Sequence, residues 1–385
     1  MTDRLIPIQN AGFAIVANGF AEGGPAQAVR DFLVRRRAGR VVAVFHPLTR
    51  DDAGRHEMTT WENGVLVTKR TWSLPSRPPI TFPLDLLTPI SMPKVDCWFG
   101  FNALACWRGI RARDRRQTQK AIYWCVDFVR SRFGPGLVTR FYERLDGFCC
   151  SRADLRFDIS QPAAEARAAR HAGRRLAPTR IVPIGAWLDQ VVVTPQDGYR
   201  SRSVIYLGNL IRTQGGPMLL DALAVLAKRH QPFTAEIIGR GPLLEELQAK
   251  AREAGIADRV RFHGYVEDPH AVDRILASGA VGVAAYDTEI ESFTRWADPA
   301  KLKSYLAAGL PIIVTDVPPN ANMLAEANAA VIAPFRAAAI ADAIEQVMSD
   351  GEMWKRRRQA ALDVVKQFDW ANILSGALET AGFHA

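Results

Sequence analysis

The 385-residue sequence lacks most of the features that identify chemistry at a glance. It has no apolar run near the roughly 20 residues that span a bilayer, and its longest, such as 281–286, are strand-sized. Residues 1–10 carry Asp3 and Arg4 and no apolar signal-peptide core, so a leader is not expected. Cysteines are few and odd in number: Cys97, Cys106, Cys125, Cys149 and Cys150. They form no metal-ligand spacing, so reduced thiols in a cytoplasmic protein and no bound metal are expected. No Asp-x-Asp pair occurs, and no Gly-x-Gly-x-x-Gly follows the first strand of either half, which argues against a nucleotide-dependent dehydrogenase. There is no fixed-period repeat and no low-complexity tract. What remains is an ordinary globular composition, 48% hydrophobic and 23% charged, in a chain long enough for two cores.

Charge is distributed unevenly. Residues 1–190 carry 29 Lys and Arg against 17 Asp and Glu, whereas residues 191–385 carry 20 against 23. The basic surplus lies wholly in the first half, which points to an acidic partner surface there. Three groups stand out: Arg30, Arg35, Arg36, Arg37 and Arg40; Arg108, Arg111, Arg113, Arg115, Arg116 and Lys120; and Arg130, Arg132, Arg140 and Arg144 interleaved with Phe128, Phe133, Phe141 and Tyr142. Basic residues mixed with aromatics suit an anionic membrane face. No nucleic-acid recognition motif accompanies them, so nucleic acid is not an expected partner.

Short β-branched runs alternate with amphipathic stretches, which argues βαβ units and parallel sheets. Strands are expected at 13–17, 41–45, 65–69, 95–99, 121–125, 155–159 and 180–184, with a helix from Pro25 to about Arg37. Residues 191–202, with Pro195, Asp197 and Gly198, read as a linker. Strands then restart at 204–207, 235–238, 260–262, 281–285 and 312–314, with helices at 217–230, 243–254, 269–277 and 300–308. This gives an α/β chain of two Rossmann-like doubly wound domains, 1–190 and 203–366. Residues 367–385 form a final amphipathic helix expected to fold back across the first domain.

The candidate ligand residues sit where such a domain binds ligands, beyond the C-terminal strand ends. Gly208-Asn209-Leu210 and Gly215-Gly216-Pro217 flank the first turn of the second half. Gly239-Arg240-Gly241-Pro242 repeats the arrangement, with Arg240 available to phosphate. Asp298-Pro299-Ala300-Lys301 reads as a capped helix start, Asp298 as N-cap and Pro299 as first residue. A lysine in that first turn opposes the helix dipole, so a bound anion would offset it. Glu291, after the fourth strand, can accept hydrogen bonds from sugar hydroxyls. In the first half, Gly19, Gly23 and Gly24 form a Gly-rich turn. Asp127 ends a strand and is either a general base or the cap of the next helix.

The run 204–316 resembles the C-terminal domain of GT-B glycosyltransferases, especially the retaining family 4 type. The resemblance rests on Tyr206-Leu207-Gly208-Asn209-Leu210, Ile237-Ile238-Gly239-Arg240-Gly241-Pro242, His263-Gly264-Tyr265-Val266 and Pro299-Ala300-Lys301-Leu302-Lys303-Ser304-Tyr305-Leu306-Ala307-Ala308-Gly309-Leu310-Pro311. It implies two facing domains, a nucleotide diphosphate-sugar donor in the second, and no cofactor. It implies that Tyr265 and Val266 abut the base and that Glu291 touches the donor sugar. The family's diphosphate-binding Arg and Lys are replaced by Asn209 and Gln214, with Arg212 nearby, and its ribose-binding acid by Ser304. Bacterial transferases similar to galactofuranosyltransferases share the Lys-Leu-x-Ser-Tyr-Leu pattern and the Gly-Asn-Leu turn. Gly19, Gly23 and Gly24 fall where the family has a loop facing donor and acceptor. The resemblance implies a glycosyltransferase; taken with the basic and aromatic surface, the expected acceptor is a lipid-linked saccharide or polysaccharide at the inner face of the cell membrane, with Asp127, Glu291 and Lys301 expected as the reacting groups. A nucleotide-sugar epimerase and a non-catalytic sugar-binding subunit of the same fold are the alternatives.

Overall fold

A computed structural model describes residues 5–19, 24–47, 55–73 and 92–385. Gly23 lies outside the described residues. The chain forms two compact units: residues up to Pro183 together with Trp370–Ala385, and Ile184–Asp369.

The first unit is built on β1 (Gly12–Asn18), α1 (Pro25–Arg35), β2 (Arg40–His46), β3 (Arg55–Glu62), β4 (Val65–Ser73), β5 (Cys97–Gly100), α2 (Ala103–Asp114), β6 (Lys120–Cys125), α3 (Leu137–Arg152), β7 (Leu155–Asp158), α4 (Gln161–Arg170) and β8 (Thr179–Ile181). The strands order as β4-β3-β2-β1-β5-β6-β7-β8. From β2 to β8 every neighbouring pair is parallel. The hairpin β3–β4 is antiparallel and extends one edge. Its turn is Asn63-Gly64, both at positive φ, the two-residue connection that matches strand twist. Expecting only parallel units overlooked this hairpin and placed one strand, 65–69, where two pair. The helix Trp370–Thr380 completes this unit: Leu374, Ala377 and Leu378 line one small apolar cavity with Val29, Phe32, Phe99 and Trp124. Phe383 meets Phe13 edge to face at 5.0 Å, and Ile6 pairs with Phe383 in a short parallel ladder.

The second unit runs β9 (Ser203–Leu207), α5 (Gly216–Lys228), β10 (Thr234–Ile238), α6 (Leu244–Glu253), β11 (Val260–Gly264), α7 (Pro269–Ala277), β12 (Val281–Ala284), α8 (Ala300–Ala307), β13 (Ile312–Val314), α9 (Ala321–Glu326), β14 (Ala330–Ile332), α10 (Ala337–Ser349) and α11 (Gly351–Val364). The sheet is wholly parallel in the order β11-β10-β9-β12-β13-β14. That is the doubly wound order, and its strand succession reverses between β9 and β12. In the first unit the equivalent reversal lies between β1 and β5. The segment 191–202 is packed rather than free. Thr194 is buried and donates its N–H to Ala308, and Tyr199 lies against Trp354. The unit boundary therefore falls earlier than the Pro- and Gly-containing stretch suggests, at Pro183–Ile184.

Asp298 is not the N-cap of α8; Pro299 occupies that position and no side chain caps the helix. The Asp298 carboxylate instead pairs with fully buried Lys303, accepts the Ile184 N–H at 2.7 Å and takes the Asn320 amide at 3.2 Å. Removing one partner of a buried pair costs about 3–5 kcal/mol because the other charge is stranded. Asp298→Ala should therefore lower stability by about that much, read as a shift of the urea midpoint. Combining Asp298→Asn with Lys303→Met should recover part of the loss.

Two buried histidines make a second prediction. His46 and His56 place their Nδ1 atoms 2.8 Å apart, and the His56 ring stacks on Trp72 at 5.1 Å. Burial, with the charges of Arg108 and His56, lowers the His46 pKa to about 3. The folded state thus binds fewer protons than the unfolded one below the ordinary histidine pKa of about 6.5. Stability is complete above pH 6.5 and falls by about 1.4 kcal/mol per pH unit below it, down to about pH 3. Melting temperatures measured from pH 7.5 to 5 should show this slope, and His46→Gln should flatten it.

Candidate functional site

At the reversal point of the second unit, three strand ends come together through glycine. Gly208 N–H donates to Ile238 and Gly239 N–H to Gly264, continuing the ladder past β9, β10 and β11. Gly208 and Gly239 have φ near +140°, which only glycine adopts readily. A Cβ on Gly239 would stand 1.9 Å from the Gly208 carbonyl oxygen. These glycines leave the strand ends bare of side chains.

Lys301 fills the space above them. It is the second residue of α8, and its Nζ lies where a Gly208 Cβ would be 2.9 Å away. The amine sits over the rings of Tyr206 and Tyr286, 4.9 Å from each centroid. It is buried and has no hydrogen-bond partner among the described residues. Burial lowers its pKa to about 7. A buried amine without a carboxylate is costly, and two aromatic faces compensate it only in part. Gln214 is also buried, its Oε1 3.8 Å from where a Gly208 Cβ would stand, so an uncharged amide faces the same glycine as the lysine.

The remaining donor-side candidates divide. Arg240 stacks over the Tyr265 ring at 4.7 Å, so these two form one exposed platform at the ends of β10 and β11, with Val266 half-buried beside it. Behind it, His263 and Glu236 share a 2.5 Å hydrogen bond. Asn209 uses its backbone carbonyl to accept the Tyr206 hydroxyl at 3.0 Å, and its side chain is exposed. Arg212 turns away to Glu246 on α6, at 3.2 Å on the surface. Ser304 bonds back to the Ala300 carbonyl of its own helix at 3.4 Å. Glu291 lies in the exposed loop between β12 and α8, just after an Asx turn in which Asp287 accepts the N–H groups of Glu289 and Ile290.

The first unit has its own pocket, also at a reversal point. It has a volume of about 130 Å³. Asn18 ends β1, Asn102 follows β5, and Asp127 follows β6; Arg132, Tyr142 and Arg170 close it. Asn102 donates to Asn18 at 2.7 Å and caps α2 through the Ala105 N–H. Gly19 extends β1, its N–H on the His46 carbonyl and its φ at +125°; Gly24 is the N-cap of α1. Asp127 is part-exposed and ion-pairs with Arg132. It caps no helix, because α3 begins at Leu137 after Gly136.

The floor of this pocket holds a network that sequence reading missed. Asp146 accepts hydrogen bonds from Tyr123 at 2.5 Å, Arg167 at 2.5 Å and His171 at 2.7 Å. Arg167 also reaches Asp158 at 3.2 Å and the Asp127 carbonyl at 2.5 Å. Burial alone would raise the Asp146 pKa; the Arg167 charge and the hydrogen bonds from His171 and Tyr123 outweigh it and hold it near 2. The available signal was an acid on the apolar face of α3, among Leu145, Cys149 and Cys150. Asp146, Cys150 and His171 are spaced closely enough to ligate a metal. The Arg167 guanidinium on the same carboxylate disfavours a second cation there. All five cysteines are buried and unbridged.

Comparisons with known proteins follow the same division. Residues 199–363 match the family described as glycosyl transferases group 1. The chain is 26% identical over 199 residues to phosphatidyl-myo-inositol mannosyltransferase of Mycobacterium leprae, covering 50% of each. It is 30% identical over 179 residues to a GDP-mannose-dependent alpha-(1-6)-phosphatidylinositol dimannoside mannosyltransferase of Mycobacterium tuberculosis, covering 46% of this chain and 43% of the relative. The match spans about half the length of these curated relatives. Among solved structures, sucrose-phosphate synthase of Thermosynechococcus elongatus aligns with a TM-score of 0.73 at 16% identity, over 96% of this chain and 98% of its own. HepE of Anabaena in complex with UDP-glucose gives 0.65 at 15% identity, over 96% and 99%. The chain thus has the GT-B glycosyltransferase fold along nearly its whole length, and its residues 199–363 match the glycosyl transferases group 1.

Proposed function

We propose that this protein is a glycosyltransferase that takes a sugar from a nucleoside diphosphate donor held by the second unit. The acceptor is a lipid-linked saccharide or polysaccharide, received by the first unit. The observation that carries the reading is Lys301: a buried amine with no partner among the described residues, set over bare glycine backbone at a doubly wound reversal point. The diphosphate gains negative charge as the sugar–oxygen bond breaks, and a preorganised cation in a dry site stabilises that charge most effectively. Arg240 adds a second cation, with Tyr265 beneath it as a stacking surface for the base. The family's usual first-turn charges are replaced by Asn209 and Gln214; Lys301 delivers a charge to the same glycine from α8 instead. Glu291 contacts the donor sugar in this reading, and retention of configuration follows from the family resemblance.

Asp127 is the acceptor-side base. It borders the first unit's pocket, and its present partner Arg132 must yield when the acceptor hydroxyl arrives. A sugar-binding accessory protein is the second reading, favoured by those two first-turn replacements and by the engagement of Arg212 with Glu246. Turnover separates the two.

Thermal-shift measurements with UDP, GDP, UDP-glucose and GDP-mannose should show stabilisation by at least one pair. No shift with any of them would defeat the donor site. Lys301→Met should weaken the best nucleotide by about 10–100-fold, the loss of a buried charge-assisted contact. In the wild type, binding should weaken as pH rises above about 7, where the free amine is neutral and the anion must recruit a proton. Lys301→Met should lose that dependence.

With the donor so identified, Asp127→Asn should cut sugar transfer by about 100-fold or more while leaving nucleotide binding unchanged. Full turnover in this variant would reduce Asp127 to an ion-pair partner of Arg132.

A further inference from the structure

We propose that His263 and Glu236 are positioning residues for the nucleotide base: their hydrogen bond pins a bulge at the end of β11 and so aims the platform made by Tyr265 and Arg240. The inference rests on the reading of the second unit as the donor site and adds two residues to its base side.

The ladder between β10 and β11 is regular as far as Ile237 opposite Phe262, and then Ile238 lies opposite Gly264. His263 is the extra residue, skipped by the pairing. Such a bulge bends its strand and redirects the chain that follows. Here the chain that follows carries the platform. Gly264 has a φ of +68° and is followed at once by Tyr265. On the neighbouring strand Gly239 has a φ of +142° and is followed at once by Arg240. The two glycines are joined, the Gly239 N–H donating to the Gly264 carbonyl at 2.8 Å. Just beyond them the Arg240 guanidinium lies over the Tyr265 ring at 4.7 Å, and Tyr265 is exposed.

The glycines cannot hold this register themselves, because they have no side chain to pack. If His263 slipped into the ladder opposite Ile238, every later side chain would change faces and Tyr265 would leave Arg240. The His263 side chain opposes that slip. Its Nε2 donates to the Glu236 carboxylate at 2.5 Å, and only 18% and 21% of the two side chains are exposed. A hydrogen bond to an ionised group is about twice as strong as one between neutral groups. Glu236 stands opposite Arg261 in the ladder, so it reaches past its direct neighbour to the bulged residue. The pair therefore sits one residue before the platform on β11 and locks the shift that orients it.

The full chain would be titrated by calorimetry with UDP, with GDP, and with inorganic pyrophosphate, a diphosphate that has no base. His263→Ala and Glu236→Ala should each weaken the nucleotide that the wild type binds best by about tenfold, the loss of a base-stacking surface. Pyrophosphate binding should stay within about twofold in both. The double variant should lose no more than either single one, because the two side chains act through one bond. Glu236→Gln keeps an acceptor for the imidazole N–H and should recover most of the affinity. Melting temperatures near the wild-type value would show that the variants fold. Folded variants that bind nucleotide like the wild type would overturn the proposal. So would an equal loss of pyrophosphate, which would mark a general structural role. Wild type that binds pyrophosphate as tightly as either nucleotide would overturn the base platform and leave the phosphate site at Lys301 standing. Binding of none of the three would defeat the donor site itself, and this role with it.

Discussion

The buried pair of Lys303 and Asp298 governs the second unit's site. Asp298 gathers the Lys303 ammonium, the Ile184 N–H and the Asn320 amide, so it joins the point of entry into the unit to the start of α8. With Lys303 so committed, the helix cannot rotate, and Lys301 two residues earlier is directed to the other side, over Gly208. One lysine is neutralised by the protein and the other has no hydrogen-bond partner among the described residues. Two buried amines two residues apart therefore have opposite roles, and the pairing of one sets the availability of the other.

The two units solve the same topological problem with opposite electrostatics. Each has a strand reversal whose carboxyl edge is open to a ligand. In the first, the charges beneath the pocket are closed on one another: Asp146 with Arg167 and His171, Arg167 with Asp158. Such a network rigidifies the floor because every member would be costly to strand. In the second, the strand ends are glycine and the cation above them has no hydrogen-bond partner among the described residues. A closed network shapes a cavity, whereas an open charge recruits a counterion.

Much of the fold was legible because glycine and periodicity are local signals. Gly208, Gly239 and Gly309 punctuate strands and helices where the structure has them, and five of the second unit's six strands followed from β-branched runs, with β14 overlooked. The hairpin turn Asn63-Gly64 was equally local but was overlooked under an expectation of parallel units. Asp298 shows a different failure. Asp-Pro before a helix reads as a cap, yet its partners Ile184 and Asn320 are far away in sequence, and no local pattern announces them. The site was legible to the same extent. Lys301 could be marked as a cation in an unfavourable first turn, but its two tyrosines come from different strand ends. Likewise the cap alternative for Asp127 fell only once α3 was seen to begin at Leu137, and no local pattern announced Arg132 as its partner.

The helix Trp370–Thr380 belongs to the first unit although the whole second unit intervenes in the chain. Phe383 seals Phe13, on the first long strand of the chain, and Lys120 reaches the Ala381 carbonyl at 2.7 Å. During synthesis, which proceeds from the amino end, the first unit must wait with that apolar flank open while the second is made. The inserted unit can close on its own residues before then. The order in which the two units mature is thus the reverse of their order of appearance, and the helix Trp370–Thr380 acts as the latch on the first sheet.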